Sequence, residues 1–517
     1  MLQRSSRCRN AKIGATFRAR SGILEHELIA AVDLGSNSFR LQVGQVRGNQ
    51  IYELDGIRET VRLGAGLGTD KQLDGASQLR ALAALSKFSE RLRGFPPEAV
   101  RAVATNTLRV AKNGAAFLVQ AEAALGFPIE VIAGREEARL IYLGVAHTLP
   151  NPRQQQMIVD IGGGSTEFII GKNFKPLQLE SLYMGCVSYS LRYFHNGQID
   201  KKSFHEAELA AGQELQTIVQ AYRETGWETA VGSSGTARAI ADLIELNGFA
   251  EQGITRKGLE RLVDTLVRVG NVNHARLNGL RSDRMPVLAG GLAIMSAVFK
   301  AFDLEQMTFS EGALRLGVLY DLFGRSHHDD LREATVRHFM RRYGVDATQA
   351  KRVEATALAL LRQIMPAAND PENDDAQFLS WAARLHEIGV SVAHSSYHKH
   401  SAYVLENADM PGFSKRDQAR LARVVLGHRG KLERVQPLAR DPVEWLLIFC
   451  LRTAVVLHRA RDNQPLPAIE AAATPKSYQL NVPPDWLIEV PLTAAALEEE
   501  ARQWNGLGVN LKIRDSE

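Results

Sequence analysis

The chain has 517 residues, of which 45% are hydrophobic and 23% are charged, and its formal net charge is +4. A chain of this length exceeds a single hydrophobic core, so about three or four domains are expected. The small net charge gives no basic field over the whole molecule, and nucleic acid is therefore not an expected partner. The three cysteines lie far apart in the sequence, which fits neither a disulfide framework nor a zinc motif and favours a reducing, cytoplasmic compartment.

The first twenty residues contain five Arg, one Lys and no acidic residue. They lack an apolar segment of signal-peptide length, so secretion is not expected. A transit peptide and an overlong start of the reading frame would have a similar composition. We predict a basic, disordered extension over residues 1–25. We also predict no membrane span, because no apolar run approaches the roughly 18 residues that a span needs.

Strands alternate with helices from residue 26 to residue 141. The order is strand, polar loop, strand, helix ("SQLRALAALSKFSERLRGF"), strand ("AVRAVAT"), helix and strand ("IEVIAG"). Residues 142–325 repeat this plan and close with "MPVLAGGLAIMSAVFKAF" and "MTFSEGALRLGVLYDLF", each a glycine turn before an amphipathic helix. Alternation of this kind predicts two α/β lobes.

The chain changes character after the second lobe. Residues 326–460 are almost entirely helical by periodicity and contain most of the histidines. Residues 461–517 contain two β-rich stretches, "SYQLNVP" and "WLIEVPL", then a helical run and the strand "VNLKI". This order predicts a helical domain followed by a small α+β C-terminal domain.

The frame D-x-G-x-x-S-x-x-x-x-x-G occurs once in each predicted lobe. It begins at Asp33 in "IAAVDLGSNSFRLQVG" and at Asp160 in "MIVDIGGGSTEFIIG". Either loop alone is an ordinary polar turn. Two copies indicate a duplicated domain, in which small residues let backbone N–H groups approach an anion.

The two loops predict a phosphate clamp between the lobes. Hydroxyl, amide and backbone N–H donors are supplied by Ser36, Asn37, Ser38, Gly163, Gly164, Ser165 and Thr166. Asp33, Asp160 and Glu167 would repel phosphate unless a metal lies between them, and oxygen ligands suit Mg²⁺. The alternative for each acid is a side chain that stabilises its own turn.

Three further segments follow predicted strands. "VATNTLRVAKN" contains Arg109, which is either a bidentate phosphate ligand or a member of a surface ion pair. "VIAGREEARLIYLGV" places Glu136 and Glu137 at a helix start, where acids are common for helix-dipole reasons. These residues alone do not decide a catalytic role for either glutamate. "TAVGSSGTARAIADLIEL" adds Gly235 and Thr236 at a helix N-terminus, a position that favours phosphate.

Six motifs, taken together and in order, resemble one family. They are "AAVDLGSNSFRLQVG", "VATNTLR", "GREEARLIYLGV", "VDIGGGSTEFIIG", "GSSGTARA" and "SEGALRLGVLYD". They resemble the exopolyphosphatase / guanosine pentaphosphate phosphohydrolase family of the sugar kinase–Hsp70–actin superfamily. The resemblance runs from about Leu28 to the end of the chain. It implies an α/β fold of duplicated ribonuclease-H-like lobes, then an all-α HD-like domain and the small α+β domain.

The resemblance implies roles for individual positions. Glu137 matches the general base that activates the attacking water. The remaining matches are acidic metal ligands at Asp160 and Glu167, with Asp33 of the first phosphate motif beside them, and phosphate-binding positions at Arg109, Gly235 and Thr236. The implied cofactor is Mg²⁺ or Mn²⁺, with K⁺ as a further activator, and the implied assembly is a homodimer.

The helical region resembles the HD hydrolase fold. "LHEIG" begins at Leu385 and is followed by several histidines and by "VVLGHRG". A working HD site needs a His–Asp doublet, whereas Glu387 follows His386 here. We therefore expect a scaffold without a metal site, which in this family is understood to help bind a long polymer and to form the dimer.

The motifs favour one substrate over another within the family. "DIGGGSTEFIIGKNFKP" and "HKHSAYVLENADMPGF" are more similar to the long bacterial exopolyphosphatases. The expected function is therefore processive release of terminal phosphate from inorganic polyphosphate, in the cytoplasm or at the inner face of the cell membrane. The alternatives are 5′-phosphate hydrolysis of guanosine pentaphosphate and, more distantly, an ATP-dependent kinase of the same superfamily.

Overall fold

The computed structural model describes residues 28–47, 50–149, 153–326, 331–371, 373–439, 441–474 and 477–515. The predicted basic extension, residues 1–25, lies outside the described residues. The described residues form two α/β lobes and a C-terminal unit.

The first lobe is built on a five-stranded sheet. Its elements are β1 (Leu28–Leu34), β2 (Phe39–Arg47), β3 (Gln50–Glu59), α1 (Gly75–Arg91), β4 (Val100–Ala104), α2 (Asn106–Val110), α3 (Gly114–Leu125), β5 (Ile129–Val131) and α4 (Gly134–Ala146). The strand order is β3-β2-β1-β4-β5. Strand β2 is antiparallel to both of its neighbours, β1 and β3, and β4 and β5 are parallel to β1. Strand β1 is apolar on both faces because each face packs against a separate hydrophobic cluster.

The second lobe is built on a six-stranded sheet. Its elements are β6 (Gln156–Ile161), β7 (Thr166–Lys172), β8 (Lys175–Leu182), α5 (Cys186–Tyr193), α6 (Lys201–Thr225), β9 (Thr229–Ser233), α7 (Ser234–Leu246), β10 (Ile254–Thr255), α8 (Arg256–Val269), α9 (Met285–Phe302), β11 (Gln306–Phe309) and α10 (Leu314–Ser326). The strand order is β10-β11-β9-β6-β7-β8.

The two lobes share one plan. Each begins with three antiparallel strands and continues with strands parallel to the first, β4 in one lobe and β9 in the other. The predicted α/β fold of duplicated lobes is confirmed. In both lobes the repeated loop leaves the carboxyl end of the first strand, the edge at which ligands bind in such sheets.

Helices α4 and α10 pack together between the sheets and correct the predicted boundary between the lobes. Helix α4 continues from Gly134 to Ala146, so a boundary after residue 141 falls inside it. Helix α10 follows the second sheet in the chain but packs on α4 and β1. A Cβ on Gly317 would lie 1.7 Å from the Leu140 carbonyl oxygen, so only glycine permits this close crossing. The lobes are thus joined through packed helices.

Helix α9 corrects two further expectations. We expected an amphipathic helix here and no apolar run near 18 residues. Met285–Phe302 is 18 residues long and, among the described residues, is the one helix long and apolar enough to cross a membrane. It is largely buried, packed against α5 and α6 in the core of the second lobe. A helix surrounded by protein is apolar on every face, which explains its composition.

The C-terminal unit begins with helices and ends with a small sheet. Its elements are α11 (Leu331–Arg342), α12 (Ala347–Ile364), α13 (Asp374–Leu385), α14 (Tyr397–Asn407), α15 (Lys415–Gly427), α16 (Pro442–Leu457), β12 (Glu470–Thr474), β13 (Ser477–Val482), α17 (Pro484–Glu489), α18 (Pro491–Gly506) and β14 (Asn510–Asp515). The predicted β-rich stretch "WLIEVPL" is wrong. Prolines at the first positions of α17 and α18 start two helices there.

The helices and the small sheet share one core, which corrects the predicted boundary at residue 460. Trp504 of α18 is fully buried against Phe449 of α16 and Tyr478 of β13. The Phe449 and Tyr478 rings stack with centroids 4.2 Å apart. Residues 461–515 are therefore part of the helical domain's core, because three aromatic rings from both segments fill one cavity.

Candidate active site

The two repeated loops meet face to face between the lobes. A Cβ on Gly163 would lie 2.8 Å from the Ser36 Cβ, and one on Gly164 would lie 2.8 Å from Asn106 Oδ1. The Thr107 hydroxyl donates to Ser36 Oγ at 2.7 Å, which ties the first loop to the segment after β4. Glycine is required at these contacts because a side chain would separate the lobes.

A cleft of about 320 Å³ opens where these loops meet. The predicted site residues that line it are Asp33, Ser36, Asn37, Ser38, Glu137, Asp160, Gly163, Gly164, Ser165, Gly235 and Thr236. Arg109 and Glu167 lie just behind this lining. Thr166 does not face the cleft: it is fully buried, and its hydroxyl donates to the Met184 carbonyl oxygen at 2.6 Å. Its predicted phosphate contact is therefore wrong, because the backbone holds the hydroxyl.

Glu137 is held at the side of the cleft by Arg109. Nη1 of Arg109 donates to the Ile132 carbonyl oxygen at 2.8 Å and to Glu137 Oε2 at 3.3 Å. Burial raises the pKa of Glu137 to about 7, although Arg109 acts to lower it. A carboxylate that titrates near neutral pH is suited to take a proton from water.

The neighbouring Glu136 is used elsewhere. It accepts two hydrogen bonds from Arg139, at 2.8 and 2.7 Å, and one from the Gly412 N–H at 3.0 Å. Arg139 also donates to Asp321 of α10 at 2.5 Å. The Glu136 carboxylate thus belongs to a buried ion network, so the two glutamates, between which the helix-start pattern alone did not decide, have different surroundings.

Asp33, Asp160 and Glu167 form an acidic group with Glu137. Asp160 and Glu167 are directly opposite each other on β6 and β7. Burial raises the pKa of Asp160 to about 6 and raises that of Asp33. Burial, together with Glu137 and Asp160, raises the pKa of Glu167 well above its ordinary value. Carboxyls this close ionise together only when a cation compensates them.

The donor set of the cleft fits a hard divalent cation. Among the described residues, no three His, Cys, Asp or Glu side chains are placed to hold one metal ion. Mg²⁺ in phosphoryl-transfer sites takes one or two carboxylates and completes its shell with water and phosphate oxygens, so a pair is sufficient. Asp160 and Glu167, opposite each other on β6 and β7, fit this requirement, and Ser181 Oγ orients Glu167 by donating to Oε1 at 2.8 Å.

Sequence reasoning missed the arginines of the cleft. They are Arg40, Arg58, Arg238, Arg281, Arg284 and Arg315. Burial and Arg315 lower the pKa of Arg40 to about 10, and Arg58 and Arg284 act in the same direction. Guanidinium groups that oppose each other's charge are stabilised by a bound polyanion. Arg40, Arg238 and Arg315 carried a signal in the sequence, since each lies within one of the six motifs, and the structure pairs Arg40 with Asp33 across β1 and β2.

The third loop is shaped around one of these arginines. A Cβ on Gly235 would lie 1.9 Å from Nη2 of Arg284, so the guanidinium rests directly on the glycine. The preceding Ser234 has φ of +82°, a value that non-glycine residues rarely adopt. Backbone strain of this kind is concentrated at functional sites. Arg284, which precedes α9, and the first turn of α7 therefore lie together in the lining of the cleft.

The histidines of the predicted HD-like motif lie in the core of the C-terminal unit. His386 and His428 are buried, and Nδ1 of each is within hydrogen-bond distance of the carbonyl oxygen three residues earlier. Burial lowers the pKa of both imidazoles. Glu387, the residue in place of the HD aspartate, is paired with Arg461. That this region holds no metal stays a prediction.

Duplicated lobes, facing glycine-rich loops and a buried glutamate define a phosphate-handling enzyme of the actin-like ATPase fold. The chain belongs to the Ppx/GppA phosphatase family: the sequence model of that family matches residues 42–326, and the model of its domain III matches residues 331–501. It is therefore a hydrolase of this family, as the motifs predicted.

Relatives resemble this chain over different lengths. A guanosine-5′-triphosphate,3′-diphosphate pyrophosphatase of Pseudoalteromonas translucida is 37% identical, over 95% of this chain and 99% of its own. The crystal structure of an exopolyphosphatase from Cytophaga hutchinsonii is 25% identical, with a TM-score of 0.53, and covers 57% of this chain and 98% of its own. An exopolyphosphatase-like protein at 24% identity and a TM-score of 0.52 shows the same fold over 57% of this chain.

Proposed function

We propose that this protein hydrolyses the terminal phosphoanhydride bond of guanosine 5′-triphosphate 3′-diphosphate, here called guanosine pentaphosphate. The observation that carries the proposal is the Pseudoalteromonas relative, which is 37% identical along 95% of this chain and bears this substrate in its name. This similarity extends into the C-terminal unit, whereas the solved exopolyphosphatase covers 57% of this chain. The expected exopolyphosphatase activity thus becomes the second candidate.

The chemistry of the cleft supports a nucleoside with phosphates at both ends. Such a molecule needs two anion-binding regions and an apolar surface. The loops after β1 and β6 supply backbone and hydroxyl donors, and Arg40 and Arg284 add guanidinium groups in the same cleft. Phe309 and Leu314 line the same cleft and offer apolar surface to a base. A linear polyphosphate has no apolar group to use that surface.

Different residues of the cleft have different roles in hydrolysis. Glu137 accepts a proton from water as the water oxygen bonds to the terminal phosphorus. The bond from that phosphorus to the bridging oxygen breaks, and the electron pair leaves with the diphosphate. Donors of the loops bind the phosphoryl oxygens, and Nδ2 of Asn106, which lies beside Gly164 and has no hydrogen-bond partner among the described residues, is a further donor. Asp160 and Glu167 would hold Mg²⁺, which neutralises charge on the phosphates when it is bound.

Polyphosphate remains the second candidate for a specific reason. The solved Cytophaga relative is named an exopolyphosphatase and matches this chain at 25% identity. Six arginines in one cleft would also suit a linear polyanion. A kinase is not proposed, because the family that matches this chain is one of phosphatases.

A phosphate-release assay separates these candidates. The purified full chain is given guanosine pentaphosphate, long polyphosphate and ATP, and kcat/KM is compared. We expect the highest value on guanosine pentaphosphate, with phosphate and the 5′-diphosphate as products. The Glu137→Gln variant, purified in parallel, sets the background from other phosphatases. A higher value on long polyphosphate would transfer the proposal to the second candidate.

Several properties that the resemblance implied stay predictions. They are Mg²⁺ or Mn²⁺ as cofactor, K⁺ as an activator, the homodimer, and a cytoplasmic location with peripheral contact at the inner membrane face. The absence of a nucleic-acid partner also stays a prediction.

A further inference from the structure

The loop between α14 and α15, residues 408–414, lies against the first lobe; we call it the docking loop. Its Phe413 ring is buried in the core of the C-terminal unit and packs edge-on to Trp381, with ring centroids 5.1 Å apart. The Thr335 hydroxyl of α11 donates to the Pro411 carbonyl oxygen at 2.7 Å. The docking loop is therefore held in place by its own unit.

Gly412 lies between these two fixed positions and directs its N–H toward the first lobe. Its φ is +87°, and a Cβ there would lie 3.1 Å from the backbone nitrogen of Arg332. The left-handed conformation and the close approach both require glycine. The N–H donates to Glu136 Oε2 at 3.0 Å, in a buried contact. The docking loop is thus shaped to reach the first turn of α4.

Glu136 connects this contact to the packing between the lobes. It accepts two hydrogen bonds from Arg139, and Arg139 and Arg101 each donate to Asp321 at 2.5 Å. All four side chains are buried. Arg101 belongs to β4 and Asp321 to α10. Because a buried carboxylate is costly unless its donors are in place, this network holds the first turn of α4 in one position.

The same turn carries Glu137. The N-cap of α4, Ala133, makes no side-chain hydrogen bond, so the turn has no side-chain cap of its own. Among the described residues, the Glu137 carboxylate accepts one hydrogen bond, from Arg109 at 3.3 Å. Its position therefore depends on where the first turn lies. A shift of about 1 Å at a reacting group can cost roughly 100-fold in rate.

We propose that Glu136 is a positioning residue for Glu137, so that the C-terminal unit, bonded to Glu136 through Gly412, controls the rate of catalysis in the cleft. This rests on the proposed hydrolysis with Glu137 as the base, and it holds for either candidate substrate. Glu136 acts without touching the substrate. Its carboxylate is bound by Arg139 and Gly412, and it does not line the cleft.

Two glycine variants of the full chain test this link without altering the cleft. Gly412→Ala places a Cβ against Arg332 and should move the N–H away from Glu136. Gly508→Ala is the matched control: its φ is +80°, so the backbone strain is similar, but a Cβ there meets nothing within 4 Å. The measurements are kcat and KM on guanosine pentaphosphate and on long polyphosphate, at a temperature at which thermal unfolding shows every variant folded.

The expected result is a loss of kcat without a loss of binding. For Gly412→Ala, kcat should fall about tenfold while KM stays within about twofold, because Glu137 acts in the transition state. Gly508→Ala should keep the parental kcat. Glu136→Gln weakens the same contact from the other side and should also lower kcat about tenfold. The double variant Gly412→Ala/Glu136→Gln should lie within about twofold of the slower single variant, because both changes act on one contact.

A parental kcat in both Gly412→Ala and Glu136→Gln would overturn the proposal. Equal losses in Gly412→Ala and Gly508→Ala, or losses that multiply in the double variant, would overturn it as well. If Gly412→Ala does not fold, Glu136→Gln alone decides, by its kcat and KM.

Failures of the proposed function give different results. A Glu137→Gln enzyme that stays active would refute the base, and a parent that hydrolyses only polyphosphate would refute the substrate. In the second case the variants are compared on polyphosphate, so the test of the link between the C-terminal unit and catalysis is still decided.

Discussion

Replacing Glu137 with Gln should separate catalysis from stability. The amide cannot accept a proton from water, so turnover should fall by roughly 10²–10⁴-fold, the usual range for a general base. The same change removes a buried carboxylate whose ionisation the fold opposes. The variant should therefore be nearly inactive and, at neutral and alkaline pH, more stable than the parent.

The size of the stability gain follows from the pKa of Glu137, which burial raises from the ordinary 4.5 to about 7. Because the folded value is the higher one, the folded state binds more protons between these limits, and stability falls as the pH rises through them. One pKa unit corresponds to about 1.4 kcal/mol. Ionised Glu137 therefore costs the fold about 3 kcal/mol above pH 7 and almost nothing near pH 4.5.

Denaturant unfolding of parent and variant at about pH 5 and about pH 8, with phosphate release in parallel, measures both effects. The gain in free energy of unfolding should be small at the lower pH and about 3 kcal/mol at the higher. Glu136→Gln is the matched control: it breaks the network with Arg139 and should lower stability at both values. A Glu137→Gln enzyme with more than about a tenth of parental turnover, or with the same gain at both pH values, would refute the reasoning.

Two further changes test the metal and the third loop. Asp160→Asn or Glu167→Gln should raise the Mg²⁺ concentration needed for half-maximal activity, and full activity in EDTA would contradict the metal assignment. Gly235→Ala places a Cβ 1.9 Å from Arg284 Nη2 and should raise KM by about tenfold, because the guanidinium must leave its position over the loop. Gly212→Ala, where a Cβ meets nothing within 4 Å, is the control and should leave KM unchanged.

Local signals predicted much of the fold. The loops at Asp33 and Asp160 were readable because turn chemistry and the flanking apolar strands lie within about fifteen residues of each other. The predicted domain boundaries were wrong where tertiary packing between elements determines them. Helix α4 runs through the predicted lobe boundary, and Gly317 lets α10 cross it closely at Leu140. The C-terminal segment joins the core of the helical domain because Trp504 packs against Phe449 of α16 and Tyr478 of β13.

By itself, the sequence determined the duplicated loops, the alternation of strands and helices, and the family that both imply. The family resemblance pointed to Glu137 and not Glu136 as the base, but only the tertiary structure gives a physical reason, because the ion network that occupies Glu136 uses Asp321 and Gly412 from distant parts of the chain. The cleft arginines likewise come together from separate elements. Charge, burial and pKa depend on what surrounds a side chain in space, and those neighbours are brought together only when the chain folds.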